Sequence, residues 1–307
     1  LKEARVIAGT CIGLAGTFAF QTEKFDLCIV DEASKATATE TLVPMSRSRC
    51  TILVGDPEQL PPFIESESDG AETAFSDDSK KSLLSILLNS LPRENVEELL
   101  EQRRMCESIG SMVSEIFYES RLKNVRPDSE RLKNVAALYK MPITWISTAN
   151  RNFSEQITPE KSFKNEGEAE AIVDELRKIA RQTRGAKHKT HVAVISAYSA
   201  QVSLLKHLVD QHVGTHASFS IEINTVDAFQ GRESDICIYS VTRSNDKRQI
   251  GFQKEKRRLN VALSRARDAL VLVGDAKFCG DLQKRSSFGR VIEYIKSNPD
   301  FCQLVEL

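Results

Sequence analysis

Leu27-Cys28-Ile29-Val30-Asp31-Glu32 opens the stretch on which the fold turns, and Gly55-Asp56-Pro57-Glu58-Gln59-Leu60-Pro61-Pro62 closes it. Leu27 to Val30 is an unbroken apolar run of the kind that suits a parallel strand buried on both faces. It ends in two carboxylates. In open parallel sheets ligands sit outside the carboxyl ends of the strands, so acids placed there face a site and not the core. Cys50 to Val54 reads as a second buried strand that delivers Gly55 and Asp56 to the same edge, and a double proline stiffens the exit. A short helix from Lys35 to Met45 joins the two, with Ala36, Ala38 and Leu42 available for packing. Asp31 is then positioned to hold a magnesium ion through its water shell, and Glu32 to orient or deprotonate an attacking water. An isolated Asp-Glu pair would merely end a strand in solvent. The second strand arriving beside this one gives the pair its site reading.

Working outward, 307 residues suffice for two domains with sizeable cores, and 41% hydrophobic with 28% charged residues is ordinary for a soluble globular protein. No apolar run approaches a membrane span, and Leu1-Lys2-Glu3-Ala4-Arg5 is neither a signal peptide nor a start, so it reads as a cut inside a longer protein. Seven cysteines without CxxC spacing read as buried thiols of a reducing, intracellular compartment, nucleus or cytoplasm. A net charge of -1 gives no global attraction to nucleic acid, so such binding must come from a local groove.

Further along, apolar strands alternate with amphipathic helices. Arg5 to Thr10 is expected as a strand, 63–81 as a polar surface loop, Ser82 to Leu91 as a helix stopped by Pro92, and Val96 to Leu100 as a short strand. Glu107 to Phe117 is helical. Ile143 to Ser147, Val192 to Ser196, Asp235 to Val241 and Leu270 to Val273 are strands. Asn165 is placed to cap a helix over Glu166 to Gln182, whose Ala169, Ile172, Val173, Leu176 and Ile179 share one face. Another follows Tyr198-Ser199-Ala200-Gln201, and Phe288 to Lys296 is expected as a terminal helix, with nothing in the residues after it to suggest a further domain. Strand-then-helix repetition with parallel-type strands predicts an α/β, doubly wound architecture.

Val30 to Ser34 (VDEAS) and Gly55 to Pro62 (GDPEQLPP) resemble motifs II and III of superfamily 1 helicases of the upframeshift and senataxin type. Gln102-Arg103-Arg104-Met105 is similar to that family's Gln-Tyr-Arg-Met, Asn224 to Glu233 resembles motif V, and Arg257 to Arg267 resembles motif VI. The likeness covers nearly all of the chain and keeps the motifs in order. It implies two RecA-like doubly wound parallel-sheet domains: 1–98 as the C-terminal part of the first, truncated at its N-terminus, and 99–307 as the second. The implied function is ATP-dependent movement, 5' to 3', along single-stranded RNA or DNA, with ATP and magnesium held between the domains.

Residue by residue, the resemblance assigns catalytic roles to Glu32, Gln59, Arg104 and, as second arginine finger, Arg265; magnesium to Asp31; nucleotide contacts to Arg103, Gly231 and Glu233; and nucleic-acid contacts to Thr10, Tyr198 and Thr225. Arg103 stands where the family has a tyrosine that stacks on adenine. Thr10 would otherwise be a helix cap, and Tyr198 a packing residue. At helical spacing Leu259, Ala262, Leu263 and Ala266 form a buried stripe, with Arg258 and Arg265 on another face. Nowhere is there a G-x-x-x-x-G-K-[ST] loop, so the phosphate cradle is expected in a missing N-terminal part of the same protein. A non-hydrolysing binding or scaffold module that lost this loop is the alternative; the retained Asp31, Glu32, Arg104 and Arg265 argue against it. A kinase or GTPase would have no use for the QLPP and QGRE elements.

Overall fold

The computed structural model describes the chain except residues 1–3, 18–19, 21–22, 63–80, 152, 215–216, 230 and 283–285. The surface-loop expectation over 63–81 therefore lies, save for Lys81, outside the described residues, as does Gln230 of the motif V run. The chain divides into two compact units, Leu1–Glu98 and Leu99–Leu307.

In the first unit, α1 (Cys11–Gly16), β1 (Phe25–Val30), α2 (Ala38–Met45), β2 (Ser48–Leu53) and α3 (Leu83–Leu88) follow in order. β1 and β2 pair in parallel with Val30 opposite Leu53. Thr37 and Glu40 cap α2 reciprocally, side chain to backbone in both directions, which fixes its start at Ala38, three residues later than the Lys35 expected. Both strands were expected to be buried on both faces, yet Leu27 is 49%, Ile29 61% and Ile52 46% exposed. The reason is the sheet: among the described residues each strand has only the other as neighbour, and a small core cluster gathers Val30, Ala33 and Leu84 with Cys11, Cys28 and Leu53 packed on it. The strand expected over residues 5–10 is irregular backbone, because no described strand offers it a ladder.

The second unit contains β3 (Glu101–Gln102), α4 (Glu107–Phe117), β4 (Lys123–Asn124), α5 (Lys133–Leu138), β5 (Ile143–Ser147), β6 (Gln156–Ile157), β7 (Phe163–Lys164), α6 (Glu166–Thr183), β8 (Thr190–Ser196), α7 (Ser199–His212), β9 (Phe219–Thr225), β10 (Ser234–Ser240), α8 (Lys256–Leu263), β11 (Ala266–Gly274), α9 (Ala276–Asp281), α10 (Ser287–Ser297) and β12 (Cys302–Glu306). Six strands form one sheet in the order β12-β5-β11-β10-β8-β9, every pair parallel. Alternate residues serve opposite faces: Ile236 and Ile238 join the core built with α5, α6 and α7, while the Cys237 thiol donates to the Ala262 carbonyl of α8. Helices thus cover both faces, which is why the strands read as continuous apolar runs.

Three expectations change here. No strand forms over 96–100; the pairing residues are Glu101 and Gln102. The helix expected to run through Arg267 stops at Leu263, because the Ser264 cap returns its N–H to Asn260 and Ala262 and the chain enters β11, with Ala266 opposite Ser234. A last strand, β12, adds an edge beyond the terminal helix.

Candidate nucleotide and nucleic-acid site

In the first unit two loops are laced together at the carboxyl ends of β1 and β2. Val54 donates to the Val30 carbonyl and Ala33 to that of Val54, both at 2.8 Å, carrying the ladder past the strand ends. A Cβ on Gly55 would come within 2.8 Å of the Ser34 backbone N and of a Leu84 methyl, so only glycine lets the loops approach this closely. Asp31 is exposed and its carboxylate accepts from the Glu32 N–H at 2.9 Å. Glu32 itself sits at φ 54, a left-handed conformation that costs a non-glycine residue and belongs with functional turns. Asp56 accepts from the Glu58 N–H and from the Gln59 side-chain amide, both at 2.9 Å, and Leu60 beneath is 1% exposed. Asp31, Glu32 and Gln59 are thus displayed on adjoining loops. Thr10 caps α1, its hydroxyl accepting from Gly13 N at 3.0 Å.

In the second unit the singled-out residues fall at opposite ends of the parallel sheet. At the amino ends of β10 and β11, Arg104 donates through Nε to one Glu233 oxygen at 3.1 Å and Arg267 to the other at 3.2 Å. Gly231, at φ 76, makes the turn that brings Glu233 there. Arg265 is 1% exposed: its nitrogens donate to the carbonyls of Val261 (2.8 Å) and Arg232 (3.0 Å) and to the Ser264 hydroxyl (3.0 Å). The guanidinium expected as second finger is therefore bonded inside the unit, and the partly exposed arginine beside Arg104 is Arg267. Arg258 ties motif VI to motif V through Asp227 at 2.9 Å. Arg103 is exposed and pairs with Glu101 at 3.0 Å.

At the carboxyl ends lie Thr225, the last residue of β9 opposite Ser196, and Tyr198. Tyr198 is packed, not presented: it is 5% exposed, lies edge-on to Phe163 with centroids 5.3 Å apart, and its hydroxyl donates to the Ile250 carbonyl and accepts from Arg243. The β6–β7 hairpin that brings Phe163 over it carried no sequence signal pointing to Tyr198. β8 connects to β9 on one side and β10 to β11 on the other, so the switch in strand order, where open α/β sheets take ligands, falls between β8 and β10. That crevice is filled from within. Both Glu168 oxygens accept from Thr242 N, at 2.8 and 2.9 Å, and one also from the Ser240 hydroxyl. Burial pushes this carboxyl up to about 8, the bonds from Ser240 and Thr242 opposing the shift. A carboxyl occupies the place where an anion would otherwise sit.

A family model described as an AAA domain matches residues 79–277, and another of the same description matches 1–67. Similar curated proteins include an uncharacterized ATP-dependent helicase of Methanocaldococcus jannaschii, 31% identical over 314 residues, covering 97% of this chain and 42% of that protein. The mouse 5'-3' DNA helicase ZGRF1 is 32% identical, with 99% of this chain and 15% of that one covered. A regulator of nonsense transcripts 1 homolog of Neurospora crassa is also 32% identical, over 90% and 25% of the two chains. The chain belongs to the AAA-domain family, among the superfamily 1 helicases. It spans less than half the length of these relatives (42%, 15% and 25%).

Proposed function

We propose that this chain is a fragment of an ATP-driven motor that moves 5' to 3' on single-stranded nucleic acid. The observation that carries the reading is the cationic clasp in the second unit, where Arg104 and Arg267 converge on one carboxylate. Two guanidiniums on one carboxylate form the grip that a transferring phosphoryl group requires, and Glu233 holds its place. The first unit supplies the complementary chemistry: Glu32 orients and deprotonates the attacking water, and Gln59 follows the terminal phosphate. Arg265 acts as a second finger once its guanidinium leaves its internal acceptors.

Among the described residues no group of three or more His, Cys, Asp or Glu could hold a metal. Magnesium does not need one, since it keeps several waters and takes one or two carboxylates together with substrate phosphates. Exposed Asp31 fits that role, and the ion would neutralise phosphate charge. Thr225, at the opposite end of the sheet, lies on the track of the strand. The seven free thiols accord with an intracellular, reducing setting, and among the described residues no helix is long and apolar enough to cross a membrane. The relatives' names include both a DNA helicase and a regulator of transcripts, so both polymers belong in the test. Phosphate release by the intact protein should rise with single-stranded RNA, DNA or both and vanish in Glu32→Gln. Absence of stimulation by either, or full activity in Glu32→Gln, would overturn the reading.

A further inference from the structure

Arg126 lies outside every motif, in the basic connection after α4, yet its guanidinium is committed to the arginine-bearing segments. Nη1 donates to the Arg104 carbonyl at 3.1 Å and to the Arg267 carbonyl at 3.0 Å. Nη2 donates to the Glu130 carbonyl at 3.1 Å and to the Asp268 carboxylate. The Arg126 side chain is 11% and that of Asp268 1% exposed, and Leu132 N gives the carboxylate a second donor at 3.1 Å. A planar fork can satisfy three carbonyls and a carboxylate together; the single ammonium of a lysine cannot span them.

Two of these carbonyls, those of Arg104 and Arg267, belong to the residues whose side chains meet on Glu233. Other contacts hold the same turn: Cys106 N donates to the Arg267 carbonyl at 2.8 Å, and the Gln102 amide accepts from Met105 N at 2.9 Å while donating to the Met105 carbonyl at 3.0 Å and to Asn124 at 2.8 Å. Gly110 of α4 leaves room for this, since a Cβ there would lie 2.1 Å from the Asn124 side-chain oxygen. The peptides of Arg104 and Arg267 are thereby locked together, while their guanidiniums remain at the partly exposed Glu233, where one anion can be exchanged for another.

We propose that Arg126 is a positioning residue that holds Arg104 and Arg267 in one register, so that both meet the phosphoryl group as a single clasp. The proposal rests on the ATP-hydrolysing reading above. In the intact protein Arg126→Lys should lower kcat by about a hundredfold, the cost of misplacing a reacting group by ~1 Å, with the ATP KM changed by less than about threefold. Because the effect runs through Arg104 and Arg267, Arg126→Lys should add nothing once both are replaced, in an Arg104→Ala, Arg267→Ala background. Additive losses, or an unchanged kcat, would overturn the proposal.

Hydrogen exchange on the 307-residue chain supplies a readout independent of turnover. Arg126→Lys should speed exchange in both segments, 103–106 and 265–268; acceleration in neither or in only one would overturn the coupling. Asp268→Asn, which keeps the carbonyl bonds and weakens the anchor, should show the same pattern more weakly, and it replaces Arg126→Lys if that variant fails to fold. If the wild-type intact protein hydrolyses no ATP, the motor reading falls, and the exchange pattern alone decides whether Arg126 couples the two segments.

Discussion

At Arg103 the chain departs from the Gln-Tyr-Arg-Met pattern it otherwise resembles, and the side chain that replaces the tyrosine is 71% exposed and paired with Glu101. An exposed planar cation can lie on a purine face, a contact worth roughly 0.5–2 kcal/mol according to desolvation. In the intact protein Arg103→Ala should raise the ATP KM several-fold, Arg103→Tyr should restore it, and kcat should change little in either; an unchanged KM in Arg103→Ala would exclude the base contact. The two following arginines separate by burial. Arg104→Ala should cut turnover by about three orders of magnitude or more while sparing nucleotide binding, as loss of a finger does. Arg265→Ala should do the same and also lower the unfolding midpoint of the 307-residue chain, because it leaves the Val261 and Arg232 carbonyls and the Ser264 hydroxyl without their donor. Equal midpoints for the two variants would contradict the buried geometry. The motif resemblance places both arginines at one site. It contained nothing to say that one guanidinium would turn inward.

Among the elements, α6 shows what periodicity carries. Asn165 caps it, accepting from Glu168 N at 3.0 Å, and the stripe from Ala169 to Ile179 is buried as the helical period requires. Glu168 shares that buried face, a position a charged residue occupies only with partners, and its partners come from β10 and the turn beyond it. The folded protein holds its carboxyl at about 8, above the ordinary 4.5, with burial the main cause. As pH rises from 4.5 the unfolded chain gives up this proton first, so the stability from the protonated group is full below 4.5 and is lost as pH rises through about 8. Glu168→Gln, which keeps both an acceptor and a donor, should flatten the pH dependence of denaturant unfolding in that window and gain on wild type as pH increases. Parallel curves for the two proteins would show that Glu168 does not titrate with folding.

For the whole molecule, the decisive feature is a loop the sequence lacks. Without the G-x-x-x-x-G-K-[ST] cradle, the 307-residue chain by itself should release no phosphate from ATP, with or without single strands. Robust stimulated turnover that Glu32→Gln abolishes would refute this. The exposed apolar side chains of β1 and β2 fit the same expectation, since Leu27, Ile29 and Ile52 have the character of a covered sheet.

The parallel α/β class, the strands β5, β8, β10 and β11 that carry the second core, and the acids at the end of β1 were legible in the chain alone. Each depends on residues within a few positions of one another, where period, capping and the burial demand of apolar runs act directly. The short elements gave no such signal: β3, β4, β6, β7 and β12 are two to five residues long and form only because a partner strand is already in place. Contacts between distant segments were equally silent. Arg104 reaches Glu233 across 129 positions, Arg126 reaches Asp268 across 142, and Tyr198 is covered by a hairpin from another connection. Such pairings are settled by which backbones the packed core brings together, and a guanidinium fork or a phenol ring serves equally well inside or outside until that packing is fixed.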